Sequence, residues 1–107
     1  MNADEPTPRV GFAQLKNMIG RRVLFVGRVE SQDVGRAHMA APDGSKVVIE
    51  GASSAFETQF AEVQGVVVDP TTIREESHVD FGENFDMNTY NELLRLANGP
   101  HQQMFYQ

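Results

Sequence analysis

The sequence predicts a mainly β domain: about five short strands curled into a small barrel, with one short helix before them and a longer one after. Three observations carry that prediction. β-Branched and aromatic residues gather in runs separated by turn sequences. Two of those runs hold an interior glycine, Gly27 and Gly65, which marks a bulge or the sharp bend of a barrel strand. The stretch 85–99 carries a full set of helix-boundary signals.

In chain order, 1–9 holds two prolines among small polar residues and reads as a disordered leader. Phe12, Leu15, Met18 and Ile19 follow helical spacing, ended by Gly20. Arg22–Glu30 is the first strand. Arg36–Ala41 and Lys46–Glu50 flank Pro42-Asp43-Gly44-Ser45, a turn sequence that makes them a hairpin. The 51–58 stretch is small and polar apart from Phe56 and reads as a connector. Phe60–Asp69 is the next strand, closed by the tight turn Asp69-Pro70-Thr71. Thr72–Phe81 then alternates. Ile73, Glu75, Ser77, Val79 and Phe81 are expected on one face, and Thr72, Arg74, Glu76, His78 and Asp80 on the other. Five short antiparallel strands expose edges unless the sheet curls shut. A five-stranded barrel of the OB type is therefore expected over 10–85, with an open sheet covered by two helices as the alternative.

The closing helix is expected over 86–99, with 100–107 as a tail. Asp86 is a suitable N-cap, Phe85 and Tyr90 are placed to form a hydrophobic staple across it, and Gly99-Pro100 stops the helix. About three turns of isolated helix are marginal in water, so this one must dock. Met87, Tyr90, Leu93, Leu94, Leu96 and Ala97 fan across about half its circumference, wider than the roughly 100° that a core-facing stripe needs. Such a helix either sinks deeply into its own domain or has a second apolar edge for a partner helix.

The 107 residues carry a net charge of −6 and no cysteine, which excludes disulfides and thiolate chemistry. No apolar run reaches the roughly 20 residues of a membrane span, and 1–9 lacks the order of a signal peptide, so no membrane association is expected. Residues 1–53 sum to +1 and residues 54–107 to −7. That balance disfavours autonomous nucleic-acid binding and assigns any such surface to the first half. Arg28, Arg36 and Lys46 are the candidates for a weak backbone contact. The strands that would form the groove contribute no aromatic for a base to stack on, and Phe25 and Phe60 read as core. The connections Ser31–Gly35 and Asp69–Thr71 are too short to wrap a strand of DNA.

Catalytic signals are poor. Glu75-Glu76 and Asp80, Glu83 and Asp86 read as a solvated acidic face, whereas acid–base catalysis needs a carboxyl desolvated in a cleft. His78 and Asp80 with Glu76 lack a distant fourth metal ligand. There is no phosphate loop, nucleophile elbow or HExxH sequence. Neither an enzyme, nor a cofactor, nor a small-molecule substrate is expected.

Three stretches, Ile19–Glu30 (IGRRVLFVGRVE), Glu62–Val68 (EVQGVVV) and Asp80–Gly99 (DFGENFDMNTYNELLRLANG), resemble the smallest subunit of replication protein A, the eukaryotic heterotrimer that binds single-stranded DNA. Phe81-Gly82, Phe85-Asp86 and Tyr90-Asn91-Glu92-Leu93 are the most specific, and are most similar to plant-type members. The resemblance implies an OB fold and a nuclear protein of DNA replication, repair and recombination. It also implies a C-terminal helix that joins the large and middle subunits in a three-helix bundle, with Tyr90, Leu93, Leu94 and Ala97 on the bundling face. The larger partners would do most of the DNA binding. A small OB subunit of a telomere-capping trimer, or a stand-alone OB protein, are the other readings.

Overall fold

The computed structural model describes residues 7–51 and 54–98, with side chains in the last helix as far as Leu94. In order the elements are β1 (Arg9–Val10), α1 (Phe12–Leu15), β2 (Arg22–Asp33), β3 (Arg36–Ala40), β4 (Lys46–Glu50), β5 (Phe60–Asp69), β6 (Thr72–Gly82) and α2 (Met87–Asn98). The five longer strands are the five expected. Neighbours run β2–β3–β4–β6–β5, and β5 pairs again with β2, closing the sheet into a ring. Only β4 and β6 are parallel within that ring. This is the OB arrangement, and closure removes the edges that an open sheet would expose.

Closure depends on β2, whose first half pairs with β5 through Arg28 and whose second half pairs with β3 from Arg28 onward. The strand passes from one neighbour to the other at Arg28, next to Gly27, with a register shift just beyond, between Val29 and Ser31. A Cβ on Gly27 would lie 2.9 Å from the Ala40 carbonyl oxygen. Gly65 is tighter. A Cβ there would lie 2.1 Å from the Arg74 carbonyl oxygen, and the β5–β6 register shifts between Gln64 and Gly65. The interior glycines thus mark close backbone approaches where the ring bends.

That shift overturns the alternation expected along β6. Gly65 faces Glu75 and Gln64 faces Ser77, so Glu76 is the extra residue of a bulge and the faces exchange there. Ile73 and Glu75 are buried. Beyond the bulge His78 and Asp80 turn to the sheltered side, while Val79 and Phe81 are exposed.

The interior is filled from every strand of the ring, with Phe25, Met39, Ile49, Val63 and Ile73 fully buried, and Leu15 of α1 closes one end. Several boundaries depart from the expected ones. The helix at 12–19 is one turn, because Ile19 bridges to Val67 and the Gly20 N–H donates to the Val67 carbonyl. Arg9, expected in the leader, pairs with Leu24 in β1; residues 1–6 lie outside the described residues. Strand β2 runs on to Asp33, leaving only Val34-Gly35 as its turn. The hairpin turn at 42–45 forms as expected, with the Gly44 N–H donating to Ala41 and the Ser45 N–H to the Asp43 carboxylate.

Candidate partner-binding surface

Helix α2 begins as its sequence dictates. Asp86 Oδ1 accepts the Thr89 N–H at 3.0 Å and Oδ2 accepts the Thr89 hydroxyl at 2.8 Å. Those bonds, the backbone one first, hold the Asp86 carboxyl below its ordinary range. The Phe85 and Tyr90 rings lie 5.6 Å apart across the cap, forming the staple. Phe85 also meets Phe81 at 5.2 Å and Phe60 at 6.0 Å. Phe60, expected in the core, therefore belongs to an aromatic cluster outside the ring.

The two apolar edges of α2 have different surroundings. Leu94 is 8% exposed and, with Asn91, lines a crevice against Gly11, Phe12 and Pro42. Tyr90 is half-buried; burial, reinforced by the Glu62 charge and opposed by Arg9, pushes its phenol up to about 12. Its hydroxyl is buried without a hydrogen-bond partner among the described residues. Leu93, next in sequence and about 100° away around the helix, is 57% exposed. Met87 is half-buried. Of the residues expected to meet a partner, Tyr90 and Leu94 thus face their own domain and Leu93 faces out. The side chains of Leu96 and Ala97, and the stop at Gly99-Pro100, lie outside the described residues.

The cations nominated for nucleic acid are largely spoken for. Glu30, the residue skipped by the β2 register shift, accepts Lys46 Nζ at 2.8 Å and Arg28 Nη2 at 3.1 Å. Its carboxyl is lowered, by Lys46 first and Arg28 second. Arg22 pairs with Glu76, Arg9 with Glu62 and Arg74 with Glu50. Among the described residues, Lys16, Arg21 and Arg36 have no carboxylate partner. Arg21 precedes β2 and Arg36 follows it, so they stand at opposite ends of that 12-residue strand and do not converge. Neither β3 nor β4 carries an aromatic.

Sequence reasoning missed a sheltered polar cluster at one end of the ring. Glu75, expected in a solvated face, is buried, and its Oε2 lies 2.9 Å from His78 Nδ1. The imidazole stacks on Phe56 with ring centres 4.2 Å apart. Gln32 grips the Phe56 backbone by both its N–H and its carbonyl, and Asp80 accepts the Glu57 N–H. The 54–59 segment is thus strapped across the ring end. Glu76 faces away toward Arg22, and Asp80 approaches the opposite imidazole nitrogen, Nε2, at 3.9 Å. The acids therefore do not share a focus with the histidine, and no group of three metal-ligating side chains converges among the described residues. The lone aromatic Phe56 in a polar connector was the available signal.

The ring order, the closing helix and its split apolar edges define an OB-fold chain with an appended amphipathic helix. The chain belongs to the family described as Replication factor A protein 3, whose model matches residues 1–104. It is similar to one of the replication protein A 14 kDa subunits of Arabidopsis thaliana, with 35% identity over 105 residues, 98% of this chain and 99% of that one. The replication protein A 14 kDa subunit of Oryza sativa subsp. japonica matches at the same identity and coverage. Among solved structures, a chain of U. maydis replication protein A bound to single-stranded DNA superposes with a TM-score of 0.81 at 21% identity, covering 88% of this chain and 91% of that one. The S. pombe Stn1–Ten1 complex gives 0.68 at 11%, covering 86% and 91%. At such identities these structures speak to the fold alone.

Proposed function

We propose that this chain is the small, non-enzymatic subunit of a nuclear heterotrimer of the replication protein A type, acting in DNA replication, repair and recombination. Residues 10–85 form its barrel, and the helix at 86–99 joins helices of the large and middle subunits in a three-helix bundle. Family membership supports the reading, and one observation carries it. With Leu94 already seated on the ring, α2 still presents Leu93 to solvent, an apolar edge without an intramolecular use among the described residues. Leu96 and Ala97 extend that arc in sequence. Single-stranded DNA is bound mainly through the partners, because the cations here are mostly ion-paired and the β3–β4 face lacks a stacking platform. Arg28, Arg36 and Lys46 add at most a weak backbone contact.

The test is coexpression with the large and middle subunits of replication protein A from the same source. A one-to-one-to-one complex is expected by native mass. A chain ending at Phe85 should remain outside it. Assembly of that shortened chain to full extent would overturn the proposal.

A further inference from the structure

The crevice that Leu94 and Asn91 line against Gly11, Phe12, Ala13 and Pro42 holds about 220 Å³, room for one large side chain but not for a helix. Two of its polar side chains are engaged within the domain. Gln14 Oε1 accepts the Gly11 N–H at 2.9 Å, and Asp43 Oδ1 accepts the Ser45 N–H at 2.9 Å. What the crevice offers an occupant is therefore mainly apolar. Leu93, on which the assembly role rests, lies about 100° further around the helix. The chain itself supplies an occupant. Asn91, Leu94 and Asn98 share one face of α2 by their three- and four-residue spacing, so the helix ends on the side of the crevice. Gly99 and Pro100 then turn the chain off the helix axis. Residues 99–107 include three consecutive large apolar or aromatic side chains, Met104, Phe105 and Tyr106, and no Lys, Arg, Asp or Glu. Six residues of extended chain reach roughly 20 Å, whereas Leu94 lies one turn, about 6 Å, back from the helix end. A tethered segment also acts at an effective concentration near millimolar, so a modest contact holds it.

We infer that residues 99–107 fold back along α2 and seat Phe105 in this crevice, pinning the end of the helix to α1 and the 42–45 turn. Phe105 is the seated residue because its neighbours Met104 and Tyr106 then flank the mouth, where the tyrosine hydroxyl stays in water. The contact concerns the inner edge of the helix and stands apart from the assembly role. Pinned in this way, α2 meets any partner already ordered, with Leu93 facing out, and less ordering cost is left to the moment of association.

Because the chain has no cysteine, an introduced disulfide reports the seat. Ala13 is exposed beside the crevice, and a disulfide needs Cα atoms within about 7 Å. Ala13→Cys with Met104→Cys in the full chain should therefore close within one molecule under mild oxidation. Val34→Cys with Met104→Cys is the comparison, because Val34 lies beyond the opposite end of β3 from Pro42. The first pair should close roughly tenfold faster, and adding Phe105→Ala should remove most of that advantage. In the cysteine-free chain, Phe105→Ala should lower the melting temperature by about 4 °C. Equal closure of the two pairs, closure undiminished by Phe105→Ala, or unchanged melting overturns the inference. A disulfide between two molecules assigns the crevice to a second copy and overturns it as well. So does a maleimide that labels Ala13→Cys freely in the isolated chain and is blocked only after coexpression with the large and middle subunits, which assigns the crevice to a partner. Native mass of the heterotrimer judges the assembly role separately.

Discussion

Substituting Gly65 by alanine should damage the fold more than any other single methyl added to a strand. The new Cβ would lie 2.1 Å from the Arg74 carbonyl oxygen, 2.9 Å from its carbonyl carbon and 2.9 Å from Ile73 Cγ2. A carbon tolerates a carbonyl oxygen at about 3.3 Å, so β5 and β6 must part by roughly 1.2 Å. A ladder hydrogen bond stretched that far is broken. Overpacking of this kind costs about 3 kcal/mol or more, offset by less than about 1 kcal/mol from the stiffer unfolded chain. For a domain of this size that is a drop of roughly 10–20 °C in melting temperature. Gly27→Ala provides the internal comparison. Its Cβ would meet the Ala40 backbone O at 2.9 Å and Phe25 Cε2 at 3.0 Å, a smaller overlap than at Gly65 though still against backbone, so it should cost about 1–3 kcal/mol and less than Gly65→Ala. Thermal melts followed by circular dichroism decide. Equal melting of Gly65→Ala and the parent chain would refute the close approach and the bulge built on it.

Three further outcomes are expected. Tyr90 should ionise near pH 12 in an absorbance titration, and Tyr90→Phe should remove that component. Because folding raises the phenol from its ordinary 10 to about 12, the associated stability is complete below pH 10 and is lost as pH rises through 12; an ionisation near 10 would contradict the burial. Phe56→Ala should cost about 3–5 kcal/mol and Gln32→Ala about 1–3 kcal/mol, since it strips partners from the Phe56 N–H and carbonyl. Urea melts of the double variant should show less than the sum, because both residues hold one strap. The isolated chain should bind single-stranded DNA no tighter than micromolar near physiological salt, by anisotropy; submicromolar binding would point to a stand-alone binder.

Much of the fold was legible because its signals are local. Turn residues at 42–45 and 69–71 and the Asp86 cap each act within a few residues, and each formed where expected. Gly27 and Gly65 were legible as bends, although their partners Ala40 and Arg74 are known only once the strands meet. What failed did so for a long-range reason. Alternation along β6 put Glu75 on the face of Ile73, where it is found, but the charges around it read as solvated; His78 was placed on the opposite face, since nothing in Thr72–Phe81 reveals that Glu76 is skipped by β5. Phe60 read as core because periodicity does not say that Phe85 returns to cover it from outside. The helix showed a wide apolar arc in sequence, but the division between Leu94 and Leu93 depends on where α2 crosses the ring, and that requires Gly11, Phe12 and Pro42 in place.

The central claim is that one edge of α2 is intramolecular and the other is not, and Leu94→Ala against Leu93→Ala tests it most directly. Each variant of the full chain should be melted alone and then coexpressed with the large and middle subunits at a temperature where both stay folded. Leu94→Ala should lower the melting temperature, with a cost of about 2–5 kcal/mol for a buried leucine. Leu93→Ala should melt like the parent chain and weaken assembly, about tenfold for each 1.4 kcal/mol lost. If both leucine variants melt low and assemble like the parent, the helix belongs wholly to its own domain and the account is wrong.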